Sequence, residues 1–186
     1  MILLIPITIL VKIAYILTGD FKHIIYSQDR IGKNGKHFPL YKYRSMIWDA
    51  DEKLEELLKD PKLKKEYDKY KKLENDPRIT KVGKILRRIS LDEFPQFINV
   101  FLGHMSLIGP RPYLPGEKKD MGKYYDEIIK VKPGITGLWQ VNGRSETTFD
   151  ERLVMEEEYV QKCGLIFDLK IFFKTFWAVF ARKGAK

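Results

Sequence analysis

The sequence predicts one α+β domain, mostly helical, with a single small β-hairpin. Three observations carry this reading. Helix-period stretches recur along the 186 residues, strand-like alternation surrounds one Asn-Gly pair, and no internal repeat or low-complexity linker divides the chain. Apolar residues make up 44%, which excludes a disordered chain and suits one domain with a real core.

The elements follow in order. Met1 to Leu17 reads MILLIPITILVKIAYIL. It is shorter than the roughly 20 residues of a comfortable spanning helix. Pro6 removes a backbone donor and favours a kink, and Lys12 can return its ammonium to lipid headgroups. No basic region precedes the run and no small-residue cleavage site closes it, which argues against a signal peptide. We read residues 1–20 as a membrane-associated helix that dips into one leaflet. A buried core helix is the plainer alternative.

A hairpin is expected next, with Ile24-Ile25-Tyr26 and Phe38-Pro39-Leu40-Tyr41 flanking Lys33-Asn34-Gly35-Lys36. The period of two places Lys42 and Arg44 on one face of the return strand. They either guard a solvated edge or meet an anion. Residues 49–75 form a charged helical excursion, with helices broken at Pro61 and no catalytic signal. Arg78 to Arg88 carries Lys81, Lys84, Arg87 and Arg88 on one helical face, with Val82, Ile85, Leu86 and Ile89 on the other. Such basic amphipathic helices lie on membranes or bind phosphates. From Phe101 to Gly143 the chain turns loop-like, with stiff Gly109-Pro110-Arg111-Pro112 and Lys132-Pro133-Gly134 stretches. Phe149 to Gln161 returns to a helical pattern. Residues 167–181 read as an interfacial helix, its aromatics beside Lys170 and Lys174, with core packing as the alternative.

The formal charge of +9 and a pI near 9.4 draw anions: phosphorylated ligands, acidic lipid headgroups or nucleic acid. No nucleic-acid motif supports the last. One cysteine, Cys163, excludes an internal disulfide. The absence of a His/Cys ligand cluster argues against zinc. Together these favour a reducing, cytosol-facing location.

Chemistry centres on Ser90-Leu91-Asp92-Glu93-Phe94-Pro95-Gln96. One reading is structural: Ser90 and Glu93 fit a capping box, although Pro95 fits it imperfectly. The other is catalytic. A carboxylate can attack phosphorus and divide a hard transfer into two steps. A neighbouring carboxylate can hold Mg2+ against phosphate oxygens, and arginines can clamp the rest. Asp92, Glu93, Arg87 and Arg111 supply these groups. Arg111 lies between two prolines, so its backbone is restricted before any ligand arrives. Trp139-Gln140-Val141-Asn142-Gly143-Arg144 joins an aromatic face, amides and a cation, a set suited to a nucleotide diphosphate. There is no Walker-type loop and no nucleophilic Ser or Cys motif.

Taken together, YKYRSM, ITKVGKILRRISLDEFPQFINVFLGHMSLIGPRP, KPGITGLWQVNGR and LIFDLKIF resemble the ordered signature blocks of the monotopic bacterial polyprenyl-phosphate phosphoglycosyl transferases. The resemblance covers nearly the whole chain. It implies transfer of sugar-1-phosphate from a UDP-sugar to undecaprenyl phosphate, with release of UMP, at the start of a lipid-linked glycan. It implies Asp92 as nucleophile, Glu93 as the Mg2+ partner, and Arg87 and Arg111 as phosphate contacts. Lys42 matches an essential lysine of the family and Asp168 an important aspartate. Gln140 and Arg144 fall in the block expected near the nucleotide sugar. The implied fold has a re-entrant N-terminal helix and interfacial helices around a compact site. The implied location is the cytoplasmic face of the bacterial inner membrane, against anionic lipids. A homo-oligomer stays open.

Two departures from the family pattern stand out. The family's N-terminal helix begins further upstream, whereas this chain starts near the break at Ile5-Pro6 and is expected to lack the entering arm. The 49–73 excursion is longer than in the smallest members and resembles exopolysaccharide-type catalytic domains. A noncatalytic, basic membrane-surface binding module is the alternative function.

Overall fold

The computed structural model describes residues 3–142 and 147–180. It is mostly helical, with two small two-stranded sheets among the described residues. The first is the expected hairpin, β1 (Ile25–Ile31) with β2 (His37–Tyr43), antiparallel, in a register that sets Tyr26 opposite Lys42. Its strands are longer than the sequence pattern suggested. Asn34 at φ 58° and Gly35 at φ 75° take the positive-φ turn that Asn-Gly tolerates well.

α1 (Leu4–Leu17) precedes the hairpin as a continuous helix. Pro6 lies in its first described turn, where a missing N–H breaks no bond inside the helix, so the expected kink is absent from the described residues. Only one stripe of α1 is buried. Val11 and Tyr15 pack with Ile24, Tyr43, Val82 and Leu86. Leu3, Ile5, Leu10 and Leu17 remain largely exposed. Among the described residues, no helix is long and apolar enough to cross a membrane.

After the hairpin come α2 (Ala50–Leu57) and α3 (Pro61–Tyr70), neither with a buried residue. Pro61 opens α3 behind its Asp60 cap, matching the expected break. α4 (Lys81–Arg88) then packs on the hairpin side through Val82, Gly83 and Leu86. Gly83 is required by proximity: a Cβ there would lie 1.9 Å from the Ser45 carbonyl oxygen. The expected apolar face is only half used, because Ile85 and Ile89 are 55% and 47% exposed. α5 (Gln96–Phe101) lies along β2. Its buried Asn99 completes the strand's backbone bonding, accepting from Tyr41 N–H at 3.0 Å and donating to the Pro39 carbonyl at 2.7 Å.

The stretch expected to be loop-like contains a second sheet. β3 (Ser106–Ile108) pairs in parallel with β4 (Gly134–Thr136). Each strand is three residues long, too short to show a period, and small residues hide it further. Gly109, Gly134 and Gly137 pack so closely that an added Cβ at any of them would meet backbone at 2.5 Å or less. Short helices α6 (Lys118–Met121) and α7 (Tyr125–Ile128) lie between the two strands in sequence, and α8 (Leu138–Asn142) follows β4. α9 (Phe149–Lys162) begins with a capping box of Thr148 and Glu151. α10 (Leu165–Phe180) buries Ile171 against Leu138 and Tyr159 while Leu165, Phe173 and Trp177 stay exposed.

Candidate active site

Asp92 and Glu93 stand on a single 3-10 turn, Leu91–Glu93, between α4 and α5. Ser90 enters it at φ 57°, a left-handed conformation that costs a non-glycine residue stability and turns the chain sharply. The capping-box alternative is not realised. Ser90 makes no side-chain cap bond, Pro95 stands just ahead of α5, and the Glu93 carboxylate instead accepts from Lys42 Nζ at 2.9 Å. Leu91 and Phe94 press the turn onto the cluster containing Val11 and Tyr15 of α1. The apolar N-terminal helix is thus the floor of the site.

Asp92 is 8% exposed. Burial raises its carboxyl above the ordinary aspartate range, and the Glu93 charge adds to this, while Lys42 and Arg87 oppose it. Arg87 is fixed by its own bond, Nε donating to Ser45 Oγ at 2.9 Å. The close approach at Gly83 brings Ser45 and α4 into that range. The result is a buried carboxylate beside a second carboxylate and two cations, a set suited to meeting an anionic phosphorus centre.

A cleft of about 950 Å3 joins Asp92 to Lys42, Arg87 and Arg111. The excursion forms part of its wall through Leu54, Tyr67, Tyr70 and Trp48 just before it. Arg111 is held from behind. Its backbone N–H donates to Glu156 Oε1 at 2.8 Å, and its Nη1 donates to Glu117 Oε1 at 3.4 Å. Complete burial pushes the Glu156 carboxyl up to about 8. Burial and the Arg111 charge push Arg152, over the Trp139 ring at 4.4 Å, down to about 10.

The other expected site residues stand elsewhere. Gln140 lies on α8 and does not line the cleft. Asp168 accepts from the Tyr159 hydroxyl at 2.9 Å, and that hydroxyl is also 3.2 Å from the Ile108 carbonyl, so Asp168 ties α10 to α9 and β3. Arg144 lies outside the described residues. Arg44 lines the cleft but is held by the fold: it pairs with Asp20 at 2.8 Å, donates to the His23 and Met46 carbonyls, and stacks on Tyr15. Sequence reasoning missed Arg30, Glu117 and Glu156. Only Arg30 left a signal, since Tyr26, Gln28 and Arg30 alternate along β1 and all line the cleft.

Among the described residues, no three His, Cys, Asp or Glu side chains gather to hold a metal. Mg2+ commonly takes one or two carboxylates and completes its shell with water and substrate phosphate. Asp92 lines the cleft and fits such a donor; Glu93 does not line it and reaches it only through its bond to Lys42.

A family model for bacterial sugar transferases matches residues 1–182. The chain is 45% identical over its whole length to the undecaprenyl-phosphate galactose phosphotransferase of Salmonella typhimurium, of which it spans 39%. It is 39% identical to the exopolysaccharide production protein ExoY of Rhizobium meliloti, covering 95% of this chain and 78% of ExoY. It is also 38% identical to a UDP-glucose:undecaprenyl-phosphate glucose-1-phosphate transferase of Escherichia coli, over 87% of this chain and 34% of that protein. A match over nearly every residue, including the buried Asp-Glu turn and the cationic cleft around it, makes this chain a member of the bacterial sugar transferase family.

Proposed function

We propose that this chain transfers sugar-1-phosphate from a UDP-sugar to undecaprenyl phosphate, releasing UMP, through a covalent intermediate on Asp92. The observation that carries the reading is the cleft itself, which buried Asp92 lines together with Lys42, Arg87 and Arg111. The relatives' names supply the substrate class: undecaprenyl phosphate as acceptor, galactose or glucose as the sugar.

In this reading an Asp92 carboxylate oxygen attacks the sugar-bearing phosphorus. The bond to the nucleotide's phosphate breaks and UMP leaves with that electron pair. The acceptor phosphate oxygen then attacks the same phosphorus and Asp92 departs as a carboxylate. Lys42 and Arg87 offset charge around the reacting phosphoryl group, and Arg111 holds phosphate oxygens. Glu93, with Asp92, would hold Mg2+, which when bound neutralises phosphate charge. Burial keeps water from the acyl phosphate, which would otherwise hydrolyse.

One carboxylate serves both a soluble nucleotide and a lipid phosphate, so the cleft must open beside the membrane. The exposed apolar residues of α1 and α10, with exposed Ile85 beside exposed Lys81, Lys84 and Arg88 of α4, support an interfacial seat on anionic lipid, which this reading takes to be the cytoplasmic face of the inner membrane. The excursion of α2 and α3 forms part of the cleft wall. The reading is tested by UMP release from a panel of UDP-sugars with Mg2+ and undecaprenyl phosphate, beside Asp92→Asn. Release by the wild type alone supports it and identifies the sugar. Equal release by the variant rejects Asp92 as nucleophile.

A further inference from the structure

Arg30 has no part in the mechanism above, yet its surroundings are unusual. It is 8% exposed and lines the same cleft as Asp92 and Arg111. Its Nη1 donates to the Pro112 carbonyl at 3.0 Å and its Nη2 to Gln28 Oε1 at 2.6 Å, both neutral acceptors. Its Nε is buried with no hydrogen-bond partner among the described residues. Burial and the neighbouring Arg111 charge push the guanidinium down to about 10. The acid nearest in effect, Glu117, is already engaged: Oε1 by Arg111 and Oε2 by the Leu114 N–H at 2.7 Å. Arg30 and Arg111 therefore stand near one carboxylate that, of the two, bonds only Arg111. A buried cation held only by neutral acceptors is costly until an anion joins it. The planar arginine fork suits phosphate oxygens.

Bonding sorts the cations in question into two sets: Lys42 donates to Glu93, next in sequence to Asp92, whereas Arg30 donates to the Pro112 carbonyl, next in sequence to Arg111. The charges that act most strongly on Asp92 are Glu93, Lys42 and Arg87. Those that act most strongly on Arg30 are Arg111 and Glu117. A nucleotide-diphosphate sugar likewise carries two phosphoryl groups, one attacked and one leaving. The geometry points to Arg30 as a substrate-binding residue that, with Arg111, holds the phosphate departing with the nucleotide, while Lys42 and Arg87 serve the phosphoryl group at Asp92. This assignment rests on the sugar-nucleotide reading above.

The probe is UMP, which carries only the departing phosphate, with uridine as its phosphate-free control. Binding is measured by calorimetry on the intact wild type, Arg30→Gln and Arg30→Lys, each with its thermal unfolding curve. Arg30→Gln is expected to weaken UMP about 10-fold or more, from the loss of charge-assisted bonds, and to leave uridine unchanged. Arg30→Lys is expected to fall between. Unchanged UMP affinity in a folded Arg30→Gln overturns the assignment and leaves Arg30 a structural anchor for the Pro112 loop. If Arg30→Gln does not fold, Arg30→Lys decides: a loss of UMP affinity at wild-type melting temperature supports the assignment, and unchanged affinity overturns it. A wild type that binds neither UMP nor any UDP-sugar overturns the donor reading itself.

Discussion

Two cation–carboxylate pairs sit two residues apart at the end of β2, and they do different work. Arg44 and Asp20 meet at 2.8 Å with the arginine side chain 5% exposed. Its Nε and Nη1 also donate to the His23 and Met46 carbonyls, and the guanidinium lies over the Tyr15 ring. Lys42 and Glu93 meet at 2.9 Å with side chains 29% and 38% exposed, and each keeps capacity for a ligand. The first pair pins α1 to the hairpin, and the Tyr15 hydroxyl strengthens that link by donating to the Arg44 carbonyl. In the second, Lys42 lines the cleft and Glu93 stands behind it. Charge at a given spacing is therefore not enough to name a binding residue. What matters is how many of its bonds the fold has already used.

The largest expected effect breaks the chemistry without touching either pair. Asp92→Asn should lower UMP release by at least about 1,000-fold with little change in melting temperature. Lys42→Ala should come next, lowering kcat roughly 100-fold while the protein stays folded, because one donor to the reacting charge is lost. Arg44→Ala should behave oppositely. It removes the bonds to Asp20 and to the His23 and Met46 carbonyls that pin α1 to the hairpin, seen as a lower melting temperature before any kinetic change is sought. A Lys42→Ala protein that melts as low as Arg44→Ala would erase the distinction between the pairs.

Smaller effects follow from titration. Burial and the Glu93 charge raise the Asp92 carboxyl above the ordinary range, so without Mg2+ it should titrate above a free aspartate, and added Mg2+ should bring it down. Carboxyl NMR titration with and without Mg2+ checks this. Glu156 is near 8 when folded and near 4.5 as a free side chain. Between those values the folded state holds a proton that the unfolded state has released. Wild-type stability contributed by this site is therefore full below about 4.5 and declines as pH rises towards 8. Glu156→Gln should flatten that decline, read as melting temperature against pH.

Much of the site was legible before any coordinates. Asp92, Glu93, Lys42, Arg87 and Arg111 converge because the ordered motifs carry them, and the Asn-Gly turn and the Pro61 break announce their own geometry. Three things were not legible. The Ser90–Glu93 pattern fits a helix cap, and only the left-handed Ser90 and the Lys42 contact exclude it. The parallel β3–β4 pair is too short for periodicity and rests on glycine contacts between distant segments. Glu156 acts through the Arg111 backbone, 45 residues away, and Asp168 through Tyr159 on the preceding helix, contacts that spacing does not reveal. Asp168 therefore stands as a tie between α9 and α10 in this structure, separate from the cleft residues.

The central claim is a covalent bond at Asp92, and one measurement addresses it directly. The protein is incubated with UDP-galactose or UDP-glucose and Mg2+ without acceptor, quenched, digested and analysed by mass spectrometry. A hexose-phosphate adduct on the peptide containing Asp92, formed with UMP and discharged on adding undecaprenyl phosphate, is the predicted result. Turnover with acceptor but no adduct in its absence, or an adduct on another residue, would contradict it.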